Sequence, residues 1–360
     1  MNMKKLNVAL AILGAAVMAG NAQTASTEPV GYVTVKIIAG TGTAKKLSYV
    51  SLPLLEKDLP ITGKTRGTLT GVTPTTLTDS TAGWTAGALS APNAPYLIAI
   101  TSGTAAGRTF HIASNASTGG AVGAAASANT GTTVTISTLD TGSGISDLVS
   151  AGVAAGDSYE IYGCDTLSSA LGSPSTTGVV SGASSSAADT VVVVLNGAAS
   201  TYFHNGTRWT RVFAGNPDAS NVPLLPNHGF SYSRIGATDI TLTPIGSVPT
   251  LARKVQIKNA GLTLISTYYP ADTTLASLGL QNTPGWTGNA SSALADKVVL
   301  VSSTGSASTY WYNGTGWRRV FAGNPAADST VIPVGAMVYI NKVGATAGFS
   351  TFTQALPYTL

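Results

Sequence analysis

The strongest constraint on the fold of this chain is a sixteen-residue phrase that occurs twice. Tyr202–Pro217 reads YFHNGTRWTRVFAGNP and Tyr310–Pro325 reads YWYNGTGWRRVFAGNP, with twelve identical positions at a constant offset of 108 residues. Each copy has an aromatic strand, an Asn-Gly turn, a second strand and a Gly-Asn-Pro end. Asn and Gly accept the positive φ that a tight reversal needs, and Pro has no N–H to extend a ladder. The phrase is therefore a β-hairpin, and its duplication implies a duplicated β architecture.

The flanking sequence extends that pattern. Gly31–Ile38 and Leu47–Leu54 alternate and are rich in β-branched residues, as are Arg253–Lys258 and Leu262–Tyr269. In the later half Asp272-Thr273 and Ser277-Leu278-Gly279 follow at once. Their matches, Asp165-Thr166 and Ala170-Leu171-Gly172, lie more than a hundred residues beyond Leu54. The economical reading is an all-β chain of two related β-sandwich-like repeats, the first interrupted. Repeat A takes residues 23–54 and 165–250, and repeat B takes 251–360. The insertion, 55–164, has strand patterns at Gly67–Thr78, Pro95–Ser102, Arg108–Ser114, Thr132–Leu139 and Asp157–Tyr162, with a Gly/Ala/Ser loop over Ser114–Gly131. Short strands with Gly-rich turns predict a small, partly open β-barrel. Thr190–Leu195 and Lys297–Val301 read as buried strands, and Val222–Leu225 and Val331–Val334 as further ones. Helical periodicity is absent apart from a turn or two at Asp272–Leu280.

The GYVTV strand, the interrupted first repeat and the paired Y-aromatic-x-N-G-x-x-W-x-R motifs together resemble a family of secreted verrucomicrobial β-repeat proteins. That resemblance spans the whole chain after the leader and implies an architecture, with no activity, substrate or catalytic residue to carry over. Within the insertion, ITSGTAAGRTFHI and AAGDSYEI loosely resemble small barrel modules of phage structural proteins and bacterial surface proteins.

Met1–Ala22 has the form of a signal peptide. Lys4 and Lys5 lead an apolar run over Leu6–Val17, and Gly20 and Ala22 stand at −3 and −1 of a cut before Gln23. The expected address is periplasmic, outer-surface or extracellular, and no segment is long enough for a transmembrane helix, which needs about 20 apolar residues. Losing two lysines lowers the net charge from +4 to about +2, too little and too scattered for nucleic acid. Only 9% of residues are charged, against roughly 25% in an ordinary domain. A surface solvated by Ser, Thr, Gly and Asn suits a second copy of the chain or a neutral polysaccharide. The single cysteine, Cys164, excludes an internal disulfide framework.

Candidate chemistry is sparse. With Asn313–Gly316 as the loop, Tyr312 faces Trp317 and Tyr310 faces Arg319. Tyr310, Tyr312, Trp317, Arg319 and Phe321 then share one strand face, as do Tyr202, His204, Trp209, Arg211 and Phe213. One reading is cross-strand packing under a neighbouring layer. The other is a sugar-stacking platform in which Tyr310, Tyr312, Trp317 and Arg319 bind the ligand. Packing is the simpler reading, because duplicated scaffolds keep their cores. His111, His204 and His228 have no metal-ligand spacing, so no metal or cofactor is expected. Cys164 reads as a small buried hydrophobe. Asp157 and Glu160 are three apart on one strand and point to opposite faces, which disfavours a glycosidase pair. Asp189, Asp218, Asp296 and Asp328 stand at strand or turn edges and read as caps of backbone N–H groups. With no catalytic motif present, the expectation is an exported structural or interaction protein that is not an enzyme, with carbohydrate binding through the hairpin faces as the alternative.

Overall fold

The computed structural model describes residues 29–56, 59–90, 95–113, 128–137, 147–195, 198–301, 306–344 and 347–359. The expected signal peptide and most of the Ser114–Gly131 loop lie outside these residues. Among them the chain is nearly all β. In the first part, β1 (Val30–Tyr32), β2 (Val35–Ile37) and β3 (Lys46–Val50) precede a segment that carries β4 (Arg66–Thr68), β5 (Gly71–Val72), β6 (Thr76–Thr78), β7 (Tyr96–Ile100), β8 (Thr109–His111), β9 (Thr133–Thr135) and β10 (Ser158–Gly163). A short helix α1 (Leu167–Leu171) then leads to β11 (Thr190–Leu195), β12 (Ala198–His204), β13 (Trp209–Arg211), β14 (Phe230–Arg234), β15 (Ile240–Leu242) and β16 (Ile245–Ser247). The last part holds β17 (Arg253–Lys258), β18 (Ala260–Ser266), β19 (Thr273–Thr274), α2 (Leu275–Leu278), β20 (Lys297–Val301), β21 (Ala307–Tyr312), β22 (Trp317–Arg319), β23 (Val331–Ile332), β24 (Met337–Val343) and β25 (Phe349–Gln354).

Two five-stranded antiparallel sheets dominate. One has the order β13-β12-β11-β14-β3 and the other β22-β21-β20-β24-β18, which is the same order of equivalent strands. A two-stranded ribbon covers one face of each, β2-β15 on the first and β17-β25 on the second. Val35, Ile37, Ile240 and Leu242 of one ribbon share a core with Val191, Val193, Trp209 and Tyr232 of its sheet. Val255, Ile257 and Phe352 of the other share a core with Val298, Trp317 and Ile340. The Val-rich runs are less enclosed than their composition predicts. Val191 and Val193 are buried but Val194 is 40% exposed, because only one face of the sheet lies under the ribbon.

Proline shapes several boundaries. The single strand expected over Gly31–Ile38 is divided into β1 and β2. Its partner is divided too, because Pro244 has no N–H between β15 and β16 and only its carbonyl engages, accepting from Val33. The strand expected at Val222–Leu225 reduces to one bridge between Thr166 and Pro223, while its counterpart forms β23. A helix absent from the sequence reading, α1, begins with a capping box in which Thr166 accepts from the Ser169 N–H and Ser169 reaches back. Helix α2 repeats that box with Thr274 and Ser277. The equivalence is therefore Thr166 with Thr274, one residue off the Asp-Thr match read from sequence.

The described residues between 55 and 164 form sheets of their own, β4-β10-β7-β8 and β5-β6-β9, linked by a bridge from Ile112 to Ile136. No sheet here closes into a barrel among the described residues. The entry and exit of the segment meet, with Glu56 and Gly163 exchanging hydrogen bonds of 3.1 and 2.7 Å. Leu97, Ala99 and Tyr162 join the core of the first five-stranded sheet, and Gly107 accepts from Lys254 of β17. The segment thus touches the first five-stranded sheet and the ribbon that covers the second.

Candidate interaction site at the paired hairpins

Strand β12 turns into β13, and β21 into β22, through four-residue loops. In the second, Tyr312 faces Trp317, Trp311 faces Arg318 and Tyr310 faces Arg319, the register expected from alternation. Asn313 Oδ1 accepts from the N–H groups of Thr315 and Gly316, and Gly314 takes φ +101°. Asn205 and Gly206, at φ +106°, repeat the device in the first loop. After β13 and β22 the chain reverses again. Asn216 donates to Phe213 and Asn324 to Phe321, both at 2.9 Å, with φ near +78° at Gly215 and Gly323. Gly-Asn-Pro was expected to end the ladder, but here it continues. The Pro217 and Pro325 carbonyls accept from Arg211 and Arg319, and Ala219 and Ala327 then donate back to Trp209 and Trp317.

The aromatic stripe divides between core and solvent. Trp317 is wholly buried, its Nε1 donating to Gln281 at 3.2 Å and its ring edge-on to Trp286 and Tyr312. Tyr310 is buried and Tyr312 half-buried in the same core. Trp209 is equally enclosed and donates to the Gly172 carbonyl at 2.8 Å. Each tryptophan thereby ties its hairpin to the helical segment that precedes the sheet. Trp311, on the opposite sheet face, is buried too and donates to Asn289. Arg319 leaves the stripe at its far end. Its guanidinium stands 5.3 Å over the Phe321 ring, as that of Arg211 does over Phe213. Phe213 and Phe321 are 64% and 65% exposed, beside the exposed Val212 and Val320. Of the four candidate ligand residues, only Arg319 is exposed.

The buried aspartates do more than cap. Asp189, at the start of β11, accepts from the N–H groups of Val180 and Ile235, the Tyr232 hydroxyl and Arg234 Nη1, the last at 2.6 Å. Both members of that ion pair are buried. Burial, with the adjacent Asp189 carboxylate, drives the Tyr232 phenol far above its ordinary range, so it stays protonated and donates. Asp296, at the start of β20, accepts from Thr287 and Val343 and lies 3.6 Å from Lys342 Nζ. The Lys342 ammonium also donates to the Gly285 carbonyl and faces the Trp286 ring.

The remaining titratable groups are dispersed. His204 and His111 are buried in different sheets, His228 lies in the turn before β14, and Cys164 is in the core. Among the described residues no three His, Cys, Asp or Glu side chains cluster as a metal site would require. A cleft of about 620 Å³ lies between β4, β10 and Thr250-Leu251. Its one carboxylate, Glu160, is held by Arg66 at 2.7 Å and by the Tyr162 hydroxyl. No helix among the described residues is long and apolar enough to cross a membrane. Comparison of the chain with family models, with curated proteins and with solved structures returned no match.

Proposed function

We propose that the protein is a non-catalytic structural or interaction protein of the cell envelope or extracellular space. The observation that carries this reading is where the chemically able side chains are spent. Asp189 and Asp296 are saturated by donors from their own sheets and the adjoining loops, Glu160 is held by Arg66, and the stripe tryptophans fasten each hairpin to its helical segment. A general acid or base needs a free proton site within reach of a substrate, and these carboxylates have given theirs to the scaffold. The low charge density is a further support, since a surface of small polar residues sheds water cheaply on contact with a partner. The address rests on the leader-like Met1–Ala22.

A sugar platform built on Tyr310, Tyr312, Trp317 and Arg319 is disfavoured by the burial of Trp317, whose ring already packs edge-on with Trp286 and Tyr312. Fractionation of native cells with an antibody to the mature chain tests the main reading. The expected signal is in envelope or culture-fluid fractions, and a cytoplasmic pool of full-length chain would overturn it.

A further inference from the structure

The two halves share twelve of sixteen positions in one phrase, and packing accounts for only part of that identity. Trp209 and Trp317 are identical because each fills a core, and Gly215-Asn216 and Gly323-Asn324 are identical because the turn demands positive φ. Arg-Val-Phe at 211–213 and at 319–321 has neither a core nor a turn reason, although Arg319 Nη2 donates to Ser308. Phe213 and Phe321 are about two-thirds exposed, and neither fills a core cluster. Yet both copies hold the same residues in the same pose, a guanidinium 5.3 Å from a phenyl centroid. A fold that needed only a soluble turn would have been free to replace them.

We propose that these are two equivalent binding plates for an acidic polysaccharide, an inference that rests on the non-catalytic interaction reading above. An exposed phenyl ring offers a flat apolar surface for the C–H face of a pyranose. The guanidinium standing over the other face of the ring presents donors that match a carboxylate, although Arg319 Nη2 also donates to Ser308. A polyuronate offers a pyranose face and a carboxylate in every unit, so neighbouring units of one strand meet the open ring face and the guanidinium. Two identical plates on one chain fit a partner that repeats itself, so that the second contact is made at high effective concentration. A second copy of this chain is a poorer match, because the exposed carboxylates Asp218, Asp239, Asp272 and Asp328 are already engaged within the chain, by Arg208, by Lys36 and by the N–H groups of Val334 and Trp317. An anionic membrane is a poorer match too, since one plate arginine apiece and a net charge near +2 give little attraction.

The test is affinity electrophoresis and calorimetry of the full mature chain with polygalacturonate, its methyl ester and dextran. Wild-type protein is expected to be retained by polygalacturonate, less by the ester and not by dextran, with retention falling as salt rises. Phe213→Ala and Phe321→Ala should each weaken binding about 10-fold, and the double variant about 100-fold or more, with unchanged thermal unfolding. Arg211→Gln and Arg319→Gln should abolish the preference for the acid over the ester. Absence of polygalacturonate binding by wild-type protein overturns the proposal, as does a double phenylalanine variant that binds like wild type. Retention on phosphatidylglycerol vesicles but not on polysaccharide, or loss of a dimer in sedimentation as the sole effect of the double variant, also overturns it. An envelope protein that fails these binding tests refutes the plates alone, whereas a cytoplasmic one refutes the underlying reading.

Discussion

The two five-stranded sheets solve one electrostatic problem in two ways. Each begins its central strand beneath a buried aspartate, and each must neutralise it without water. The first uses Arg234, whose several donors reach Asp189, the Gly178 carbonyl and the Thr238 carbonyl together. The second uses Lys342, a compact charge that reaches Asp296 and the Gly285 carbonyl and finishes against the Trp286 ring. The aspartate is common because its backbone bonds close the sheet to the loops at Val180 and Ile235, or at Thr287 and Val343. The cation is free to differ as long as the rest of its shell changes with it. This predicts the largest effects in the molecule. Arg234→Met and Lys342→Met each strand a buried carboxylate and should cost about 3–5 kcal/mol in denaturant unfolding. Arg234→Lys should also destabilise, because an ammonium cannot serve the three acceptors that the guanidinium spans. A loss below about 1 kcal/mol from either methionine variant would mean that the pairs are solvated and the comparison empty.

The effects expected at the hairpin tryptophans are of the same size. Trp209→Ala and Trp317→Ala should each cost about 3–5 kcal/mol, since each empties a core position and orphans a carbonyl or amide acceptor. Trp317 has two aromatic neighbours and Trp209 has only His204 edge-on, so the second substitution should be the worse. A Trp317→Ala protein that melts like wild type would place that ring outside the core and revive the sugar platform. Below these lie the capping boxes. Thr166→Ala and Thr274→Ala should each cost about 0.5–2 kcal/mol and by similar amounts, because both boxes have the same geometry. Unequal losses measured by thermal unfolding would show that the packing of Leu167 or Leu275, rather than the cap, holds that turn.

Local chemistry was what the sequence made readable. The hairpin loops, their register and the positive-φ glycines follow from Asn-Gly and two-residue alternation, which act within a few residues. The motifs at constant offset mark the paired hairpins, but the strand order of either sheet is not written in them. What escaped is either too short or too distant. Helix α1 has five residues and no period to detect, though its Thr-Leu-x-Ser box, repeated at Thr274–Ser277, carried the signal. Asp189 and Arg234 are 45 residues apart, so nothing local pairs them. The sequence does place an aspartate directly before both Val-rich strands, and its capping role was legible while its ion pair was not. Burial of the stripe was open for a similar reason. Alternation assigns residues to a face, but only the ribbon β17-β25 and the loop at Trp286 decide which face is covered.

The smallest expected effect lies where the hairpins differ most quietly, at His204 against Tyr312. His204 is buried edge-on to Trp209, and its Nδ1 accepts the Gly206 N–H at 3.1 Å. Burial lowers its pKa below the ordinary histidine value, because an imidazolium there would lose solvent, and the bond from Gly206 would be lost as well. The sign of the linkage follows. Above the unfolded value of about 6.5 both states are neutral at this position and stability is flat. As pH falls below it, the unfolded chain binds the proton and the folded chain does not, so stability declines until the folded pKa is reached. His204→Tyr, which copies the second hairpin, should remove this slope. The check is the difference in unfolding midpoint between variant and wild type from pH 7.5 to pH 5. If the two curves run parallel, His204 is solvated in the folded state, and the two hairpins are alike in their response to acid.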